Sequence, residues 1–108
     1  MERGYPAFVN ATHTIVDIAG LITRSSDIKG GSPRIKGTGV TVHRIANWYK
    51  LGLSAEEIAH KIPHLSLRDI YAALAYYHAN PDEIEELLTR EAEDYDRLEK
   101  EQSAEHNA

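Results

Sequence analysis

The chain contains no cysteine. Disulfides, thiolate nucleophiles and sulfur-ligated metal centres are therefore excluded. Aromatic residues other than tyrosine are scarce, with one tryptophan and one phenylalanine against six tyrosines. Proline occurs four times, at Pro6, Pro33, Pro63 and Pro81, too thinly spread for a low-complexity tract. Each one reads instead as a boundary. No apolar run approaches the ~20 residues of a bilayer span, and the first residues lack the apolar core of a secretion signal. A soluble, cytoplasmic protein without membrane contact is the expectation.

What is present points to one small domain. At 108 residues and 42% hydrophobic content the chain is too apolar to be wholly disordered. A core of this size is modest, so part of the stability is expected from self-association, as a homodimer. The net charge of −5 conceals two unlike halves. Between Gly20 and Lys50, six bases face the single acid Asp27, a formal +5. From Pro81 to Ala108, eleven acids face three bases, a formal −8. Such a division suits two kinds of partner, although solvated surface accounts for it equally well.

The punctuation of Leu53 to Tyr77 organises the rest. Ser54 followed by Glu57 is a capping box, and Ser66 followed by Asp69 repeats it with a shorter acid. Pro63 ends the first of these helices and restricts Ile62 before it. A further helix is expected over about residues 42–51, stopped by Gly52 in the left-handed conformation. Three helices with a break over residues 63–66 have the spacing of a helix-turn-helix unit. Apolar periodicity gives an expected core of Trp48, Tyr49, Leu53, Ile58, Ile62, Leu65, Ile70, Tyr71 and Leu74. Ala72, Ala73, Ala75 and Tyr76 then fall on the outer face of the third helix.

Upstream, Thr14 to Thr23 is rich in β-branched residues and reads as a strand in two pieces around Gly20. Ser25 to Pro33 reads as turns. Ile35, Val40 and Val42, interrupted by Gly37 and Gly39, read as short extended pieces about a tight bend. Lys36, Gly37 and Thr38 echo the end of a phosphate-binding loop, but the full glycine pattern is missing and that reading is rejected. Downstream, Asn80, Pro81, Asp82 and Glu83 announce a last helix. Ile84, Leu88, Tyr95 and Leu98, widened by Leu87, form its apolar stripe. The pairs Glu86–Arg90, Glu93–Arg97 and Asp96–Lys100 support it to about Glu101, with a frayed end beyond.

Chemistry is hard to build from these residues. His60 and His64 lie four apart, but Pro63 intervenes and destroys the shared helical face that a zinc pair uses. No serine or threonine has a recognisable base, and the acids gather in a solvated helix. No catalysis, metal or cofactor is expected. A basic front half leading into a helix-turn-helix is the electrostatic footprint of nucleic-acid binding. The third helix, however, carries Arg68 and otherwise little that reads a base edge. Phosphate contact would come from Arg24, Lys29, Arg34, Lys36 and Arg44.

The stretches G-G-S-P-R-I-K-G-T-G-V-T-V, G-L-S-A-E-E-I-A and P-H-L-S-L-R-D-I-Y-A-A-L-A-Y-Y together resemble the bacterial domain-of-unknown-function family 433, from about Gly30 to Tyr77. The resemblance implies a mainly α, homeodomain-like, helix-turn-helix three-helix core with a short β element in front and an amphipathic C-terminal helix. It divides the chain into an arm over 1–20 with room for part of a strand, a helix-turn-helix domain over 21–80, and an acidic helix and tail over 81–108. It also implies an antitoxin-like role in a type II toxin–antitoxin pair, with a PIN-like ribonuclease as partner and the operator as a second ligand. On that basis Arg34, Lys36, Thr38, Arg44 and Arg68 are the candidate DNA contacts. Ile84, Leu87, Leu88, Tyr95 and Leu98, with their flanking acids, are the candidate toxin contacts. The alternative is an interaction or dimerisation module that never touches DNA. In one respect the chain departs from the family pattern: the arginine after Gly-Thr is Gly39 here, and Lys36 and Arg44 are the cations expected to replace it.

Overall fold

Helix boundaries in this chain are set by side chains that satisfy backbone groups locally. The computed structural model describes the backbone of residues 15–107 and the side chains of residues 15–104. Most of the expected N-terminal arm lies outside the described residues. Helix α1 (Val42–Lys50) is capped by Thr41, whose hydroxyl accepts from the Arg44 N–H at 3.2 Å. It ends at Gly52 with φ 102, the Gly52 N–H bonding the Tyr49 carbonyl and the Leu53 N–H the Trp48 carbonyl. That is a Schellman stop, which needs a residue without a β-carbon. Helix α2 (Ala55–Lys61) starts from the expected capping box, Glu57 N–H to Ser54 Oγ at 3.1 Å and Ser54 N–H to Glu57 Oε1 at 2.8 Å. The Ser54 backbone bond holds the Glu57 carboxyl below its usual value.

Helix α3 (Leu67–Ala79) starts from the expected second capping box, Ser66 with Asp69. Asp69 Oδ2 accepts from both the N–H and the hydroxyl of Ser66, while the Asp69 N–H goes to the Ser66 carbonyl. Helix α4 (Pro81–Asn107) takes Pro81 as its first residue. Asn80 does not cap it through its side chain. The amide Nδ2 turns back to the Tyr76 carbonyl at 3.2 Å and closes the end of α3, while the Asn80 carbonyl accepts from the Ile84 N–H. The helix also continues past the expected limit at Glu101. Of the three expected pairs only Glu86–Arg90 forms, at 3.2 Å; Arg97 turns instead to Asp94 at 3.4 Å and Glu101 at 3.8 Å.

The β element is smaller than the sequence suggests. Ile18–Leu21 is a 3-10 turn capped by Asp17, not a strand, and only Ile22–Thr23 (β1) and Arg34–Ile35 (β2) pair, antiparallel, with Ile22 opposite Ile35. A second 3-10 turn, Lys29–Gly31, lies between them. After β2 the chain reverses at Gly37, φ 80, and Thr38 Oγ1 bonds both the Ile35 carbonyl and the Val40 N–H. An isolated bridge from Arg34 to Thr41 leads directly into α1.

The architecture is mainly α, as expected, with the two-stranded element packed on α3. The core differs in membership. Ile58, Ile62, Leu65, Ile70 and Leu74 are buried as expected, joined by Ile35, Val40, Val42, Ile45, Ala73 and Ile84. Trp48 and Leu53 are half-buried at its edge, whereas Tyr49 and Tyr71 are exposed, Tyr71 to 53%. Ala72 and Ala73, assigned to the outer face, are buried at 4% and 0%. Periodicity assigns the buried face to the largest side chains, but α3 is covered on more than one side. Tyr76, one turn after Ala72, bonds Arg24 of the front lobe, so small residues here let the lobe and α1 approach closely.

Candidate functional site

Two surfaces carry the candidate residues: the front lobe around β2 and the start of α1, and the length of α4. Of the five expected DNA contacts, two are absorbed by the fold. Arg34 is 9% exposed, because β2 is covered on both sides, and its Nη2 reaches Ser25 Oγ at 3.4 Å. Its Nε and Nη1 are buried with no hydrogen-bond partner among the described residues. It is therefore not a surface cation, and its place among the phosphate contacts is corrected. Thr38 spends its hydroxyl on the turn after β2. Lys36, Arg44 and Arg68 remain exposed.

The lobe also has a grouping that sequence spacing does not reveal. The Arg44 guanidinium lies 5.1 Å from the centre of the Trp48 ring, and the Lys61 ammonium 5.8 Å from the same centre. Each attraction is worth about 0.5–1 kcal/mol at an exposed site. Together they present two cations on one aromatic, from α1 and α2. Lys61 has no sequence signal for this role, since the meeting depends on how α2 crosses α1. Arg68 stands apart at the start of α3, 3.7 Å from Asp69.

The α4 stripe divides in two. Ile84 is fully buried and Leu87 and Leu88 pack half-buried on the same core, so these three attach the helix to its own domain rather than to a partner. This also moves the expected domain boundary at 80, since the first turns of α4 close the core. Tyr95 and Leu98 stay open, at 67% and 52% exposure. Polar ties reinforce the attachment. Glu83 accepts from Tyr76 at 2.8 Å and pairs with Arg24 at 2.8 Å; Glu85 pairs with Lys50 at 2.6 Å and accepts from Tyr77. The Glu83 bond raises the Arg24 guanidinium, and Lys50 followed by Tyr77 holds the Glu85 carboxyl low. Burial, then the bond to Glu83, raises the Tyr76 hydroxyl. From Thr89 to Ala104 every residue is exposed.

Among the described residues no three His, Asp or Glu side chains gather where a metal ion could be held, and no helix is long and apolar enough to cross a membrane. The model of the family described as "Protein of unknown function (DUF433)" matches residues 22–77, the front lobe and all three core helices. The chain belongs to this family. The chain is also similar to the uncharacterised protein y4eO of Sinorhizobium fredii, 34% identical over 79 residues. That alignment covers 70% of this chain and 36% of y4eO, so the chain spans about a third of the length of its relative. The crystal structure of a DUF433 member from Anabaena variabilis superposes with a TM-score of 0.61 at 24% identity, over 76% of this chain and 75% of the other. It shares the fold. Among the described residues only Lys29 comes within 4 Å of a β-carbon built at Gly39, with its Cε at 3.7 Å. It is the stem of Lys29, and not of Lys36 or Arg44, that lies against this position.

Proposed function

We propose that this chain is a non-catalytic, cytoplasmic antitoxin-like protein that covers a PIN-like ribonuclease with α4 and contacts operator DNA with its front lobe. One observation carries the reading: from Thr89 to Ala104 every residue of α4 is exposed, and Tyr95 and Leu98 stand there between carboxylates. An amphipathic helix without a partner on its own domain is a binding element. Its acids complement the basic groove that a ribonuclease offers to RNA. The anchoring of Ile84 to the core gives the helix a fixed origin, so little ordering entropy is lost on binding.

The test is a pull-down of the tagged full chain from its own organism, with and without nuclease treatment. A small nuclease partner that survives the treatment, and is lost in a Tyr95→Ala, Leu98→Ala double variant, supports the reading. Recovery of the chain alone from cells that express the neighbouring nuclease overturns it. DNA in the untreated half would support the operator role; there Lys36→Ala and Arg68→Ala would each weaken binding across sequences and flatten its salt dependence.

A second reading rests on α3. Leu67 and Tyr71, 41% and 53% exposed, lie on one outward stripe, the surface a second copy would cover in a homodimer that ignores DNA. Sedimentation of wild type and Tyr71→Glu decides it, since only a dimer through this face would dissociate.

A further inference from the structure

The second 3-10 turn, the start of α1 and the second to fourth turns of α4 border an open cavity of about 380 Å³. Its two walls differ in charge. Lys29 and Arg44 stand on the front wall with the hydroxyls of Ser32 and Thr41, and Glu91 and Asp94 stand on the α4 wall. Arg90 lies beside the acids but is already paired with Glu86, and Asp94 is paired with Arg97. Lys29 and Arg44 make no ion pair with any described residue. The cationic wall is thus the uncompensated one, in a chain of net charge −5.

Three further features converge there. Helix α1 begins at this wall; the N–H groups of Val42, Arg44 and Ile45 are already bonded, which leaves the N–H of His43 and the positive end of the helix dipole to face an anion. His43 lines the cavity while only 8% exposed; its Nε2 lies 3.5 Å from Glu91, and its buried Nδ1 has no hydrogen-bond partner among the described residues. Lys29 is also held at φ 52, the left-handed region, with its stem passing Gly39 at the mouth. Any larger residue at 39 would meet that stem and narrow the opening.

We propose that this cavity is a binding site for a small phosphorylated molecule of the sugar-phosphate or mononucleotide class. The phosphate sits against Lys29, Arg44 and the start of α1, and the hydroxyl or amino donors of the same molecule face Glu91 and Asp94. A bare anion would be repelled by the two carboxylates, and a simple cation by the two free bases. A duplex backbone suits the site poorly, because it carries a charge about every 1.7 Å and its neighbouring phosphates would face the acids of α4. The site shares Arg44 and the acids of α4 with the antitoxin reading but uses neither Tyr95 nor Leu98, so a Tyr95→Ala, Leu98→Ala variant separates the two.

The experiment is a titration of the isotope-labelled full chain, followed by amide shifts at low salt, with ribose phosphate, adenosine monophosphate, inorganic phosphate and a short DNA duplex as separate probes. Saturable shifts at Gly39, Thr41, His43, Glu91 and Asp94 with ribose phosphate or adenosine monophosphate, stronger than with inorganic phosphate, are expected. Lys29→Ala and Gly39→Leu should each weaken them by about tenfold or more, the loss of one charge-assisted contact or of the opening. Unshifted spectra elsewhere would show that both variants still fold, and Lys36→Ala should bind like wild type. No saturation by about 10 mM with any small probe, weaker than any useful site, would overturn the proposal. So would inorganic phosphate binding as tightly as the organic phosphates, shifts confined to DNA, or indifference to both variants.

Discussion

Gly52 shows how much one residue decides here. At φ 102 it ends α1 and turns the chain into the Ser54 cap, and nothing within 4 Å would crowd a β-carbon there. The cost of Gly52→Ala is therefore conformational alone, about 1–2 kcal/mol from the left-handed strain, seen as a lower urea midpoint with an unchanged slope. Glu57 and Glu85 give a second residue-scale expectation. Both carboxyls are held below their ordinary value of 4.5 in the folded chain, by the Ser54 backbone and by Lys50 respectively. Their contribution to stability is complete above that value and is lost as pH falls through the lowered folded values. Urea midpoints measured between about pH 5 and about pH 3 should fall less steeply for Glu85→Gln than for wild type. A parallel fall would show that the Lys50 tie is not formed in solution.

At the scale of elements, α4 is two things on one helix. Its first turns belong to the core through Ile84, and from Thr89 onward its described side chains are exposed, with Glu91 alone paired to the domain, at His43. Ile84→Ala should cost about 2–5 kcal/mol, the range for emptying a closed site, and should loosen the whole domain in thermal unfolding. Tyr95→Ala, on the same helix, should leave the melting temperature nearly where it was. Helix α3 makes the complementary point. Ala73→Leu would place three more carbons between closely packed helices and should destabilise by about 1–3 kcal/mol. A neutral result would mean that α1 and α3 lie further apart than their burial implies.

For the whole molecule the separation of charge becomes a separation of tasks. The basic lobe and core helices form one packed unit, and the acidic helix is carried out from it on a rigid base. Ending the chain after Ala92 removes residues whose described side chains are all exposed. Its urea midpoint should stay within the error of the wild-type value, while capture of the proposed nuclease partner is lost. A large loss of stability would instead show that the outer part of α4 folds back onto its own domain or onto a second copy.

Local chemistry was legible in the linear sequence: the Ser54–Glu57 box, the Gly52 stop, the Pro63 break and the Pro81 start each act within a few residues, and so did the three-helix reading and the family. The strand over Thr14 to Thr23 was over-read, since β-branched composition does not say which residues find a partner. Whether Arg34 faces solvent, whether Ala73 lies inside, and where the stripe of α4 divides were decided only by the tertiary structure. Burial depends on what lies on the other side of an element, and here that is contributed by residues distant in the chain. Arg24 meets Glu83, Lys50 meets Glu85, and Lys29 passes Gly39 by that route. Periodicity records how one face differs from another, but it carries no count of how many faces are covered.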